Sequence, residues 1–402
     1  MAAKRTLGWM AIVAVAAAAA GSAGIVVLTA APRAVAAAAR AASDNRTLTA
    51  VGGIRVGHHT LSERPTGCTV ILTGKGVLAG VDVRGGAPGT RETALLEPVN
   101  SNQQIHGIAL SGGSAYGLDV ASGVMRYLDE QNIGLKIGAN GAINVPIVPG
   151  AVLIDLVVGG KPKIRPGADC GYAAAQAASG APVVEGTIGA GAGATVGKFA
   201  GRDRAMKAGI GSAAIALPDG TIVAALVAVN AFGDIIDPTT NRVIAGVRTP
   251  DGRGLADARA LLRAGQLPWM PPPAAPSPTG GAGSGAAAAS AAAAAAAADA
   301  EALGNTTLGI IATNVTLTKA GATKVAQMAH DGFARTIAPI HTPRDGDTIF
   351  TVATGEKPED GDVLRIGALA ADVMAEAIVR AARQATSIPG YPAARDLARR
   401  HE

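Results

Sequence analysis

A stretch that cannot pack interrupts this chain of 402 residues. From about Pro268 to Leu303 it runs through Pro271-Pro272-Pro273, then Gly- and Ser-rich sequence, then an alanine run. The Pro and Gly part offers no hydrophobic face, and the alanines carry no apolar stripe, so 267–303 reads as an exposed, disordered linker. Directly after it comes Gly304-Asn305-Thr306-Thr307-Leu308-Gly309-Ile310-Ile311-Ala312-Thr313-Asn314, in which Leu308 to Ala312 reads as a buried strand. Any fold must therefore carry a solvent-facing loop straight into the core. Asn305 and Thr306 stand at the point of entry.

That junction has a plain reading and a chemical one. Threonine suits the start of a β-strand, and Thr306 and Thr307 then do nothing more. On the chemical reading, the Thr306 hydroxyl attacks the carbonyl of Asn305, the amide becomes an ester, and water releases the upstream chain. The freed α-amine, ordinarily with a pKa of about 7.7–8.0, then acts as general base for its own hydroxyl. Such chemistry needs the attacker on a rigid strand edge and donors for an oxyanion.

Composition narrows the alternatives. Aromatic residues make up 2% of the chain, so the core is built from Ala, Val, Ile and Leu, with 54 glycines permitting close backbone approach. The formal charge of +5 is dispersed and stacking aromatics are scarce, which argues against nucleic-acid binding. Cys68 and Cys170 either form one disulfide in an exported protein or serve as two small buried hydrophobes. His58-His59 would point to opposite faces of a strand, and no metal-binding spacing occurs, so neither metal nor cofactor is expected.

Lys4 and Arg5 precede an uncharged run from Thr6 to Pro32. A cleavable signal has an apolar region of about 7–15 residues and a bilayer span takes about 20, so 1–33 reads as a retained transmembrane anchor with the body outside the cytoplasm. Secretion after cleavage is the alternative. Residues 34–47 read as a tether, and the folded body is expected from Leu48.

Within that body, Gly53 to Gly57, Thr69 to Leu72, Gly80 to Val83 and Ala151 to Val158 read as strands. A helix follows Ser111 to Leu118 and ends at Asn132, and a short one spans Ala173 to Ala178. Ile210 to Leu217 and Thr221 to Val229 flank the turn Pro218-Asp219-Gly220. Leu255 to Leu262 reads as helix, as do Lys319 to Arg335 and Val363 to Ala385, with a strand at Thr348 to Ala353. Strands clustered between groups of helices predict an α+β fold.

Six motifs occur in order: Gly53-Ile54-Arg55-Val56-Gly57-His58-His59-Thr60, Leu110-Ser111-Gly112-Gly113-Ser114-Ala115-Tyr116-Gly117-Leu118, Gly193-Ala194-Thr195-Val196-Gly197-Lys198, Asn305-Thr306-Thr307, Met328-Ala329-His330-Asp331-Gly332 and Asp345-Gly346-Asp347-Thr348. From Leu48 to Ala385 the chain resembles the DmpA-type L-aminopeptidase/D-esterase family, which includes β-peptidyl aminopeptidases and nylon-oligomer hydrolases. The resemblance implies a four-layer αββα sandwich, similar to that of ornithine acetyltransferase. It also implies self-cleavage between Asn305 and Thr306, with the cleaved fragments staying together, and a homo-oligomer acting on small peptides, amides or esters. It assigns Asn230 to the oxyanion, Lys198 to the oxyanion or the amine, and Asp345 and Asp347 to hydrogen bonds with the nucleophile's amine and hydroxyl. A tyrosine that can assist the oxyanion in the family is replaced here by Ile154, which has no side-chain donor. Two other functions compete: an acyltransferase of the ornithine acetyltransferase type, and an uncleaved envelope protein that binds without turnover.

Overall fold

The computed structural model describes residues 45–266 and 304–398. The expected N-terminal hydrophobic helix in 1–33, the tether up to residue 44 and the linker 267–303 lie outside the described residues. Thr47, in the last part of the expected tether, is buried, and its hydroxyl accepts from Val183 N at 3.0 Å. Among the described residues no helix is long and apolar enough to cross a membrane.

Nine strands form one hydrogen-bonded set that divides into two sheets sharing β2: β1 (Arg55–Thr60), β2 (Gly67–Val83), β3 (Thr90–Arg91), β4 (Ile105–Ser111), β5 (Gly150–Val152), β6 (Ile210–Ala216), β7 (Ile222–Asn230), β8 (Thr306–Thr316) and β9 (Thr348–Asp360). The helices packed on it are α1 (Val120–Glu130), α2 (Ala168–Gln176), α3 (Lys319–Thr336) and α4 (Val363–Gln384). The strands pair in the order β6-β7-β8-β9-β2-β4-β5-β3, and β1 also pairs with β2. The two long helices start at side-chain caps. Thr318 accepts from Gly321 N, and Asp362 accepts from Leu364 N and Arg365 N, which satisfies amides that have no partner within the helix.

Side-chain alternation sorts the apolar residues into layers. On β7, Val223, Ala225, Val227 and Val229 pack under α3 and α4 with Val325, Phe333, Met374 and Ile378. Ala224, Leu226 and Ala228 face the other way, against Val56, Ile71, Ile108 and Leu110 of β1, β2 and β4. A further cluster joins Val70 and Leu72 of β2 to Val120, Val124 and Ala174 of α1 and α2. Helix, sheet, sheet and helix are thus separated by three apolar layers, which is the expected α+β, αββα sandwich. A Cβ on Gly211 of β6 would lie 1.9 Å from the Ala377 carbonyl oxygen in α4, so strand and helix meet there backbone to backbone.

The helix expected over Ala173 to Ala178 starts earlier, at Ala168, the one expected over Leu255 to Leu262 spans Ala258–Arg263, and two strand expectations change. The short strands expected at Thr69 to Leu72 and Gly80 to Val83 are one strand, β2. Its residues 67–72 pair with β1 and residues 78–83 with β9, while its register on β4 shifts between Leu72 and Val77. That irregularity absorbs the intervening glycines and lets one strand serve both sheets. The strand expected over Ala151 to Val158 stops at Val152, because Asp155 is drawn into a buried ion pair with Arg64 at 2.9 Å. The turn after β6 is as read, with Ile215 opposite Val223.

Cys68 of β2 and Cys170 of α2 are joined in a disulfide, with Cα atoms 6.2 Å apart. It staples the outer helix layer to the sheet. Cys170→Ser is expected to lower unfolding stability by about 2–4 kcal/mol. Urea titrations with and without reductant check this, the variant losing the reductant sensitivity of the parent.

Candidate active site

Thr306 opens β8, Asn230 closes β7, and the antiparallel register sets the two opposite each other. Two and four residues along, Leu308 and Ile310 face the layer between the sheets, as do Ala228 and Leu226. The period of two therefore aims Thr306 and Asn230 into the end of that same layer. Both are buried. Just upstream, Asn305 forms a bridge to Asp345, which leads towards β9.

The scissile peptide expected from the sequence is held on both sides. The Thr306 hydroxyl donates to the carbonyl oxygen of Asn305, the group it would attack, and Gly346 N donates to the same oxygen at 3.0 Å. One residue earlier, the Gly304 carbonyl oxygen accepts from Asn230 Nδ2 at 2.9 Å and from Lys198 Nζ at 3.2 Å. Lys198 Nζ also donates to Asn230 O at 2.9 Å and Asn230 Oδ1 at 2.8 Å, so three oxygens receive its three donors. Burial, then the neighbouring Arg202 charge, holds the Lys198 ammonium well below the usual lysine range, while Asp345, Asp155 and Asp347 pull it back up. Thr195 N, donating to Asn230 Oδ1 at 3.0 Å, fixes which way the Asn230 amide points.

The two acids sit below this pair. Asp347 Oδ1 accepts from Thr307 N at 2.7 Å, and Oδ2 accepts from His341 N at 3.1 Å and meets His341 Nδ1 at 2.9 Å. Asp345 accepts from Phe232 N at 3.3 Å, Thr342 N at 3.1 Å and the Thr342 hydroxyl. Burial, reinforced by the charge of Asp347, pushes Asp345 up to about 6.

All the residues singled out in the sequence, Lys198, Asn230, Asn305, Thr306, Asp345 and Asp347, therefore converge, with one difference. Neither acid is hydrogen-bonded to the Thr306 amide or hydroxyl in the uncut chain; Asp347 reaches the next amide, Thr307 N. The reason is geometric, because the Thr306 hydroxyl is turned back onto Asn305 O. Gly346 enters the sequence reading only as the spacer between Asp345 and Asp347, yet a Cβ there would lie 2.7 Å from Thr306 Oγ1 and 2.8 Å from Ala87 O. Position 154 contributes its main chain: Ile154 O accepts from Asn230 Nδ2 at 3.2 Å. The adjacent Asp155 is anchored by Arg64, by Thr66 Oγ1 at 2.6 Å and by Gly113 N at 3.0 Å, which ties the glycine-rich turn after β4 to the site.

Asp345 also makes stability depend on pH. Its folded pKa is raised above the ordinary 3.8, so the folded state binds the extra proton between the two values and stability falls as pH rises through that window. Asp345→Asn is expected to flatten the loss between pH 4 and pH 6, which urea titrations at both pH values measure.

The model of Peptidase family S58 matches residues 46–395. An uncharacterized aminopeptidase of Mycobacterium tuberculosis is 39% identical over 372 residues, covering 87% of this chain and 97% of the relative. A 6-aminohexanoate-oligomer endohydrolase of Kocuria sp. is 31% identical over 342 residues, covering 82% of this chain and 84% of the relative. Among solved structures, a Burkholderia sp. beta-aminopeptidase superposes with a TM-score of 0.58 at 22% identity, over 88% of this chain and 92% of that one. The L-aminopeptidase D-Ala-esterase/amidase of Ochrobactrum anthropi, described as a variant of the Ntn hydrolase fold, gives 0.59 at 16% identity over 88% and 92%. The fold agrees with these neighbours, and by sequence the chain belongs to peptidase family S58.

Proposed function

We propose that Thr306 is the nucleophile of a self-processing aminopeptidase, which first cuts the Asn305–Thr306 bond and then removes N-terminal residues from small peptides, amides or esters. The supporting observation is the hydrogen bond from the Thr306 hydroxyl to Asn305 O, with Gly346 N donating to that oxygen from elsewhere in the chain. Attack forms the Oγ–C bond and places negative charge on Asn305 O, where Gly346 N is positioned to receive it. Collapse breaks the C–N bond, and the hydroxyl proton ends on the departing Thr306 nitrogen. Water then hydrolyses the ester, leaving a carboxyl group on Asn305 and a free amine and hydroxyl on Thr306.

In the second stage that amine accepts the proton of its own hydroxyl as the substrate carbonyl is attacked. Asn230 Nδ2 and Lys198 Nζ already converge on one carbonyl oxygen, that of Gly304. In the processed enzyme they would hold the substrate oxyanion in the same way, without a tyrosine at position 154. Asp345 and Asp347 orient the start of β8, Asp347 through Thr307 N. The relatives are named as an uncharacterized aminopeptidase and a 6-aminohexanoate-oligomer endohydrolase, which favours water over an acceptor amine.

The N-terminal run and the disulfide support a body held outside the cytoplasm, anchored or secreted, and the family resemblance supports a homo-oligomer.

Intact mass spectrometry is expected to find a chain beginning at Thr306 in the parent, and one continuous, inactive chain in Thr306→Ala. A continuous parent that hydrolyses amides at full rate would falsify the assignment. Asn230→Ala is expected to lower turnover by about 10²–10³-fold, the cost of one oxyanion donor. Gly346→Ala, which displaces the attacking hydroxyl, is expected to slow processing on the order of 10²-fold in a timed gel assay.

A further inference from the structure

The motif Met328-Ala329-His330-Asp331-Gly332 has no role in the chemistry above. His330 is buried on α3, and its ring meets that of His341 edge to face with centroids 4.8 Å apart. Phe333, one turn along α3, stacks on His341 at 5.9 Å and on His330 edgewise at 5.2 Å. His330 Nε2 lies 3.2 Å from the Asp82 carbonyl oxygen and 3.4 Å from its carboxylate. A continuous line of side chains thus runs from Asp82 on β2 through His330, His341 and Asp347 to Thr307 N, the amide next to Thr306.

The unpaired atoms fix the protons along this line. His341 Nε2 and His330 Nδ1 are both buried without a hydrogen-bond partner. A proton on either would be an unpaired buried donor, so geometry assigns the ring protons to His341 Nδ1 and His330 Nε2. His341 is therefore a donor to Asp347 and nothing else. Asp345 is supported differently, since one of its donors is the Thr342 hydroxyl. A hydroxyl can rotate and accept, so it tolerates a proton on Asp345, whereas the His341 N–H cannot tolerate one on Asp347 Oδ2. The titratable and charged groups facing His341 are Asp347, with Asp345 behind it, and His330, with Asp82 and Arg84 beyond.

We infer that His341, held in place by His330 and Phe333, is a positioning residue that makes Asp347 the charge-bearing member of the Asp345–Asp347 pair. The inference rests on Thr306 as nucleophile. The His330 motif then acts on the site at one remove, by fixing the ring that fixes the charge.

The test is the pH dependence of processing. Precursor made by cell-free synthesis is transferred to buffers from pH 5 to pH 9, and the chain beginning at Thr306 is timed by mass spectrometry. In His341→Leu the acidic limb is expected to move up by about one pH unit, because the pair loses the donor that favours its charged form. His341→Gln, which restores an N–H, should bring the limb back towards the parent. An acidic limb unmoved in His341→Leu, whatever the rate, overturns the inference, as does an equal displacement in both variants. If His341→Leu does not fold, His330→Ala decides: the same displacement supports the inference and an unmoved limb overturns it. Processing at the parental rate in Thr306→Ala would instead defeat the nucleophile assignment and leave these limbs without meaning.

Discussion

The antiparallel register between β7 and β8 is the constraint on which the site depends. It sets Asn230 against Thr306, and strand alternation then aims both side chains into the layer between the sheets. A slip of one residue would turn Leu308 and Ile310 out of their core and Thr306 away from its partners. The apolar packing of Ala224, Leu226 and Ala228 against the other sheet therefore fixes the geometry of the site as firmly as it fixes the fold. The same burial that stabilises the sandwich also positions the Thr306 hydroxyl against Asn305 O.

The site itself is a buried polar island, and its internal bookkeeping is almost closed. Lys198 finds three oxygens, the Asn230 amide is oriented from both ends, and Asp155 has a guanidinium, a hydroxyl and an amide around it. Satisfied networks of this kind are rigid, since each group that moves leaves a partner unpaired in a poorly solvating interior. The Arg64–Asp155 pair extends that rigidity outward to the glycine-rich turn that follows β4.

How much of this was legible in the sequence depended on the kind of signal. The junction at Thr306, the turn at Pro218-Asp219-Gly220 and the two long helices announce themselves through composition and period. The four-layer arrangement came from the order of six motifs, not from any local pattern. The continuous β2 was not legible, because its glycines read as a turn until the bulge that accommodates them is seen. In the sequence Ile154 shows only a side chain without a donor, whereas its contribution is a carbonyl that every residue has. His341 belongs to no motif, and its place beside Asp347 follows from the path of a loop and the packing of α3. Gly346 is informative only once the atom it makes room for is located.

The sheet order carries one more consequence. β8 and β9 both follow the proposed cut in sequence, yet they are intercalated between β7 on one side and β2 on the other, which precede it. Severing the backbone before Thr306 would leave two polypeptides woven through a common sheet, with α3 and α4 lying across strands of both origins. Neither piece has a complete hydrophobic core of its own. Such a pair would melt as a single cooperative unit, and separating the strands would require unfolding rather than dissociation.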